Sequence, residues 1–175
     1  DAAVEGLDYS AAGGSKLSTS ATGGFGCYAG ETLAFSVGGI AMGSAPCAAT
    51  ATPLTLANSS NVKDDSVVNR LLFLQLLDED NDVATGIKIP AAVKTALANK
   101  TLDFNATAAN FNAALTATLA QLPANYQQLT VDADRRMLAR EHFEDTLAST
   151  LGTPAVDTVS QTNALGTVST SITRY

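Results

Sequence analysis

The apolar residues change period once along this chain, near Asn58, and that change limits what it can fold into. Before it, apolar and polar residues alternate with a period of two, and ten of the 13 glycines fall within the first 44 residues. That is the pattern of short strands joined by tight turns. After it, the apolar residues recur with the roughly 3.6-residue spacing of a helix face, and glycine almost disappears. A length of 175 residues fits one domain of ordinary size, or a β-module with a helical annex. With 46% hydrophobic and 15% charged residues, the chain can bury a sizeable core and is not a charge-rich disordered segment. The expected class is α+β: a Gly-rich antiparallel β-sandwich or barrel-like half over residues 1–57, a four-helix section over 58–152 packed on it, and a C-terminal β-strand tail over 153–175.

In the first half, Ala3, Leu7 and Tyr9 share one face of a period-two run, and Leu33, Phe35 and Val37 alternate cleanly in a second. Gly38-Gly39 then separates this second run from Ile40-Ala41-Met42, a hairpin arrangement. A further extended stretch is expected from Cys47 to Leu56, with Pro53 at an edge or a strand end. In the second half, Val67, Val68, Leu71, Leu72, Leu74, Leu76 and Leu77 wrap most of the way round a helix, which predicts a buried one, with Asp64 and Asp65 favourably placed in its first turn. Pro90 opens a short helix through Ala98. Phe111, Leu115, Leu119 and Leu122 mark a third helix stopped by Pro123, and Ala139, Phe143, Leu147 and Leu151 a fourth, ended by Gly152 and Pro154.

Residues 153–175 contain one acid, Asp157, and one base, Arg174, amid Thr, Ser and Val. Leu165, Val168, Thr170, Ile172 and Tyr175 are the residues expected to carry a self-assembly strand. Two readings are open: a last strand of the chain's own sheet, or a strand donated to a neighbouring copy by β-strand addition.

The inventory for chemistry is thin. There is one His, no Trp and two Cys, and the formal net charge is −7. The basic residues are scattered and outnumbered, so neither nucleic acid nor an anionic membrane is expected as a partner. The longest apolar run, around Leu71 to Leu77, is far short of the roughly 20 residues that span a bilayer. Cys27 and Cys47, both in the β-rich half, are expected to form a disulfide. Asp78, Asp80 and Asp82 stand at alternate positions, as in loops that wrap calcium, but Val83 and Ile89 replace the glycine and glutamate of the twelve-residue helix-loop-helix pattern. A solvated acidic turn explains the run as simply, so no cofactor is required and calcium is the one candidate. His142 has no serine elbow or orienting acid in the sequence, and a half-buried helix histidine is expected there. Gly24-Phe25-Gly26 lacks the strand and helix of a dinucleotide site and reads as a turn. Asn58, Asn99 and Asn105 open glycosylation sequons by pattern.

Several short motifs occur together: Val4-Glu5-Gly6-Leu7-Asp8-Tyr9, Gly30-Glu31-Thr32-Leu33-Ala34-Phe35-Ser36-Val37-Gly38-Gly39, Thr52-Pro53-Leu54, Asn69-Arg70-Leu71-Leu72, and Leu77-Asp78-Glu79-Asp80 followed by Gly86-Ile87-Lys88-Ile89. Over residues 2–97 the chain resembles the N-terminal β-rich module of bacterial secreted and lipoprotein-type cell-surface proteins. The resemblance implies a small β-unit carrying helices and an extracellular or surface location, and no reaction. Asp1 in first place fits a processed secreted chain. The expected function is therefore non-enzymatic: a secreted subunit of a fibre, pilus or surface layer whose partners are copies of itself. The alternative is a monomeric surface-binding module with a calcium-stabilised acidic turn.

Overall fold

In the computed structural model, residues 3–149 are described with their side chains, and Thr150, 155–163 and 166–174 by their backbone. Strands β1 (Val4–Glu5), β2 (Asp8–Ala11), β3 (Leu17–Ser18), β4 (Thr32–Val37) and β5 (Ile40–Pro46) come first. Helices α1 (Pro53–Ala57) and α2 (Asp65–Leu76), strand β6 (Ile87–Lys88), and helices α3 (Ala91–Ala96), α4 (Ala108–Leu119), α5 (Ala124–Gln127) and α6 (Ala133–Thr150) follow. Strands β7 (Ala155–Asn163) and β8 (Gly166–Arg174) close the order. The molecule is thus mixed α+β, with a four-stranded antiparallel sheet ordered β3-β2-β4-β5 and a two-stranded parallel ladder of β1 and β6.

The sheet follows from the alternation in its strands. Leu33, Phe35 and Val37 are buried while Thr32 and Ala34 face outward, and β5 answers with Ile40, Met42 and Ala45. Two glycines close the hairpin between them. Gly38 sits at φ +59°, and a Cβ on Gly39 would collide with the Ala98 carbonyl, so the turn packs directly on the chain after α3. A bulge follows Phe35, which pairs with Gly43, while Ser36 pairs with Ala41. Met42 is left outside the register, and its carbonyl accepts a 2.7 Å hydrogen bond from Arg70 Nε on α2. The bulge thereby joins the sheet to the central helix.

α2 is buried almost all round, as its unbroken apolar run requires: Val67, Leu71, Leu72, Phe73 and Leu77 are fully enclosed. It shares one core with the sheet, the later helices and an aromatic row in which Phe104 lies 5.3 Å from both Phe73 and Phe111. A buried polar knot crosses this core. Asn69 Nδ2 donates to the carbonyls of Phe104 and Ala106, and Asn69 Oδ1 accepts from Arg136 Nη1 on α6 at 2.7 Å. Arg136 also reaches Asn112 of α4 and Asp65 of α2.

Among the described residues there are six α-helices, four of them in the stretches whose spacing predicts helix. The other two, α1 and α5, are short. Cys47 to Leu56 is not extended throughout: Thr52 and Thr55 form a capping box and Pro53 takes the first turn, where its missing N–H costs nothing. The run from Ala3 to Tyr9 is likewise split, because Gly6 at φ +83° breaks it into β1 and β2. Among the described residues, no helix is long and apolar enough to cross a membrane.

Candidate functional site

Two places in the described residues combine unusual burial with accessible surface. The larger is an apolar groove of about 580 Å³. Leu7 and Phe35 of the sheet form its floor, the Gly23-Gly24 turn and Phe25 one lip, residues 49–53 and Leu56 the other, and Phe143 with Leu147 of α6 its end. Each lip has a local cause. Ser20 and Gly24 close a turn in which the Ser20 N–H donates to the Gly24 carbonyl and Ser20 Oγ accepts from the Gly24 N–H, with Gly23 at φ +71°. The Cys27–Cys47 disulfide, with Cα atoms 5.8 Å apart, ties the chain after that turn to the end of β5, from which the other lip departs. None of the residues lining the groove carries a charge.

The second place is the acidic turn. The structure does not bring Asp78, Asp80 and Asp82 together as a ligand set. Asp80 Oδ1 accepts from the Asp82 N–H and Asp82 Oδ1 from the Ala84 N–H, so these two carboxylates shape their own loop. Asp78 is 1% exposed, and its Oδ1 accepts from the Lys88 N–H of β6. Its Oδ2 is buried with no hydrogen-bond partner. Burial raises the Asp78 carboxyl above the usual carboxylate range, the Lys88 N–H acts against this, and Asp80 adds to the rise. Lys88 pairs with Glu79 at 2.7 Å on the exposed side of the turn. Among the described residues, no group of three or more His, Cys, Asp or Glu side chains is arranged to hold a metal ion.

Two further residue groups bear on catalysis. Lys94 donates to Asp8 Oδ1 at 2.8 Å and to Ser18 Oγ at 3.1 Å, and Ser18 Oγ also donates to Asp8. This Ser-Lys-Asp contact was not legible in the sequence, because its members come from β2, β3 and α3. These bonds join α3 to the sheet. His142 is half-buried on α6, and burial lowers its pKa. A group with a depressed folded pKa stabilises the fold above its unfolded value and loses that contribution as pH falls. Stability therefore falls as pH drops below about 6.5, and His142→Gln should flatten that limb of a melting-temperature profile. An unchanged limb would remove His142 as its cause.

The remaining sequence-derived residues lie in the tail. Leu165 and Tyr175 are outside the described residues. Val168, Thr170 and Ile172 lie on β8, where they pair with Gln161, Val159 and Asp157 of β7. The Cys27–Cys47 bridge expected from the sequence is present. No protein-family model, no curated protein and no solved structure matches this chain.

Proposed function

We propose that this protein is a secreted, non-enzymatic subunit of an extracellular assembly, a fibre, pilus or surface layer, in which copies join by β-strand addition. One observation carries the reading: β7 and β8, nine residues each, form a ribbon that among the described residues ladders with no other strand. A two-stranded ribbon alone is marginal in water and leaves unpaired backbone along both outer edges. Its near lack of charge suits burial against another copy. In this reading, the sandwich-like arrangement expected of the Gly-rich half is completed by strands from a neighbour. Electron microscopy of the intact protein should show regular filaments or sheets, and a form ending at Gly152 should sediment as a folded monomer. Monomers in both cases would overturn the proposal.

A second reading, a monomeric surface-binding module with calcium at the acidic turn, is favoured by the donorless Oδ2 of Asp78 beside Asp80. The two readings differ in a measurable way. A raised folded pKa means that the protonated Asp78 carboxyl supports the fold below its unfolded value, and that this support is lost as pH rises through the folded one. Asp78→Asn keeps the acceptor for Lys88 and supplies Asp80 with an N–H. Without calcium, it should therefore raise stability at pH 7 by about 1 kcal/mol. Wild-type melting that rises with added calcium, with the rise lost in Asp78→Asn, would favour the second reading.

A further inference from the structure

We infer that the apolar groove is the acceptor for the β7–β8 ribbon of a second copy, which adds a strand along residues 48–51. This rests on the subunit reading above and gives its missing half, the surface on which the donated strand lies. Three features of the groove point to the same occupant.

The first is its backbone. β5 ends at Pro46, α1 begins at Pro53, and the segment between them runs along the groove as its outer lip. Cys47 N–H is bonded to the Glu31 carbonyl, and Thr52 is engaged by the α1 capping box. Among the described residues, no hydrogen bond uses the N–H or C=O groups of 48–51, and Ala48, Ala49 and Thr50 are exposed. Other sheet margins are interrupted or short. Arg70 takes the Met42 carbonyl of β5, Asp78 and Glu79 cap both backbone groups of Lys88 on β6, and β3 is two residues long. A short free edge beside a row of apolar sockets is what strand addition uses: main-chain bonds give affinity, and alternate side chains fill pockets.

The second is charge. The molecule carries −7, so two copies repel wherever their charged surfaces meet. Among the described residues that line the groove none is charged, and the single acid and base of residues 153–175 cancel. An uncharged ribbon entering an uncharged groove allows copies to meet without bringing the acidic surfaces of the two bodies into register.

The third is reach. Leu147 of α6 lines the end of the groove, and the chain leaves α6 at Thr150. The donated segment thus departs beside the site at which a segment is received. A strand of nine residues spans about 30 Å, enough to extend beyond its own body. Donor and acceptor are two different surfaces of each copy, so the contact is heterologous, and it propagates as a filament when the rotation does not close a ring.

Full-length chains carrying Ala51→Cys and differently tagged full-length chains carrying Ile172→Cys or Val168→Cys are mixed, allowed to assemble and oxidised in air. Cys27 and Cys47 are already bonded to each other. The expected result is a mixed disulfide between the two tagged chains, at least tenfold above that given by Thr116→Cys on the exposed face of α4. Wild-type filaments with no mixed link would overturn the groove as acceptor and leave the subunit reading intact. A wild-type protein that never assembles would overturn both. If the double variant Ala51→Cys/Ile172→Cys links only within one chain, the groove holds the chain's own tail, and the inter-copy inference fails.

Discussion

Replacing Asn69 by Leu is expected to cost about 3–5 kcal/mol, although the two side chains share the same branched heavy-atom skeleton. Asn69 is wholly buried and makes its bonds across the centre of the molecule. Leucine leaves the Phe104 and Ala106 carbonyls without their shared donor and removes the oxygen that accepts from Arg136. The guanidinium is then buried with fewer partners. Burial already lowers the Arg136 pKa, opposed by the charge of Asp65 and its hydrogen bond. Arg136→Met should cost a similar amount, because Asn69 and Asn112 lose a common partner. The double variant should be less damaging than the sum, since one network is removed once. Urea unfolding of the four proteins measures this directly. A loss below 1 kcal/mol for Asn69→Leu, or strict additivity, would show that the knot adds little to stability.

The network also shows where sequence reading stops. The helical spacing around Asn69 and Arg136 places both near apolar faces, yet nothing local says that they meet, because α2 and α6 are far apart along the chain. The β-rich half was more legible: Leu33, Phe35 and Val37 define β4 by alternation, and Gly38-Gly39 marks its hairpin. The short helix α1 falls partly within Cys47 to Leu56, a stretch whose sequence suggests extended chain with Pro53 at an edge or strand end. The capping pair Thr52 and Thr55 on either side of it was the better clue. The parallel pairing of Val4 with Ile87 joins distant segments and has no local signature. The groove is illegible for the same reason: its lips come from residues 22–25 and 49–53, and its end from α6. The acidic run was visible at once. What the sequence did not show is that Asp78 turns inward to hold β6 while Asp80 and Asp82 bond their own loop.

The subunit reading has its largest consequence in the tail. Replacing Val168 and Ile172 together by Asp should abolish assembly while leaving the body's melting temperature within a few degrees of wild type. The reason is the cost of burying charge. Each carboxylate placed in an apolar groove must lose its hydration without a partner, or take up a proton at unfavourable pH, a penalty of several kcal/mol per group. Among the described residues the tail strands ladder with each other and not with the body, so on the subunit reading the substitution costs the isolated body little. Val168→Thr with Ile172→Val, which keeps shape and strand preference, should retain assembly at reduced strength. Sedimentation velocity and circular dichroism of both pairs separate the outcomes. A double-Asp chain that fails to fold would place the tail in the body's own sheet. One that still forms filaments would show that these two positions are not buried at the contact between copies.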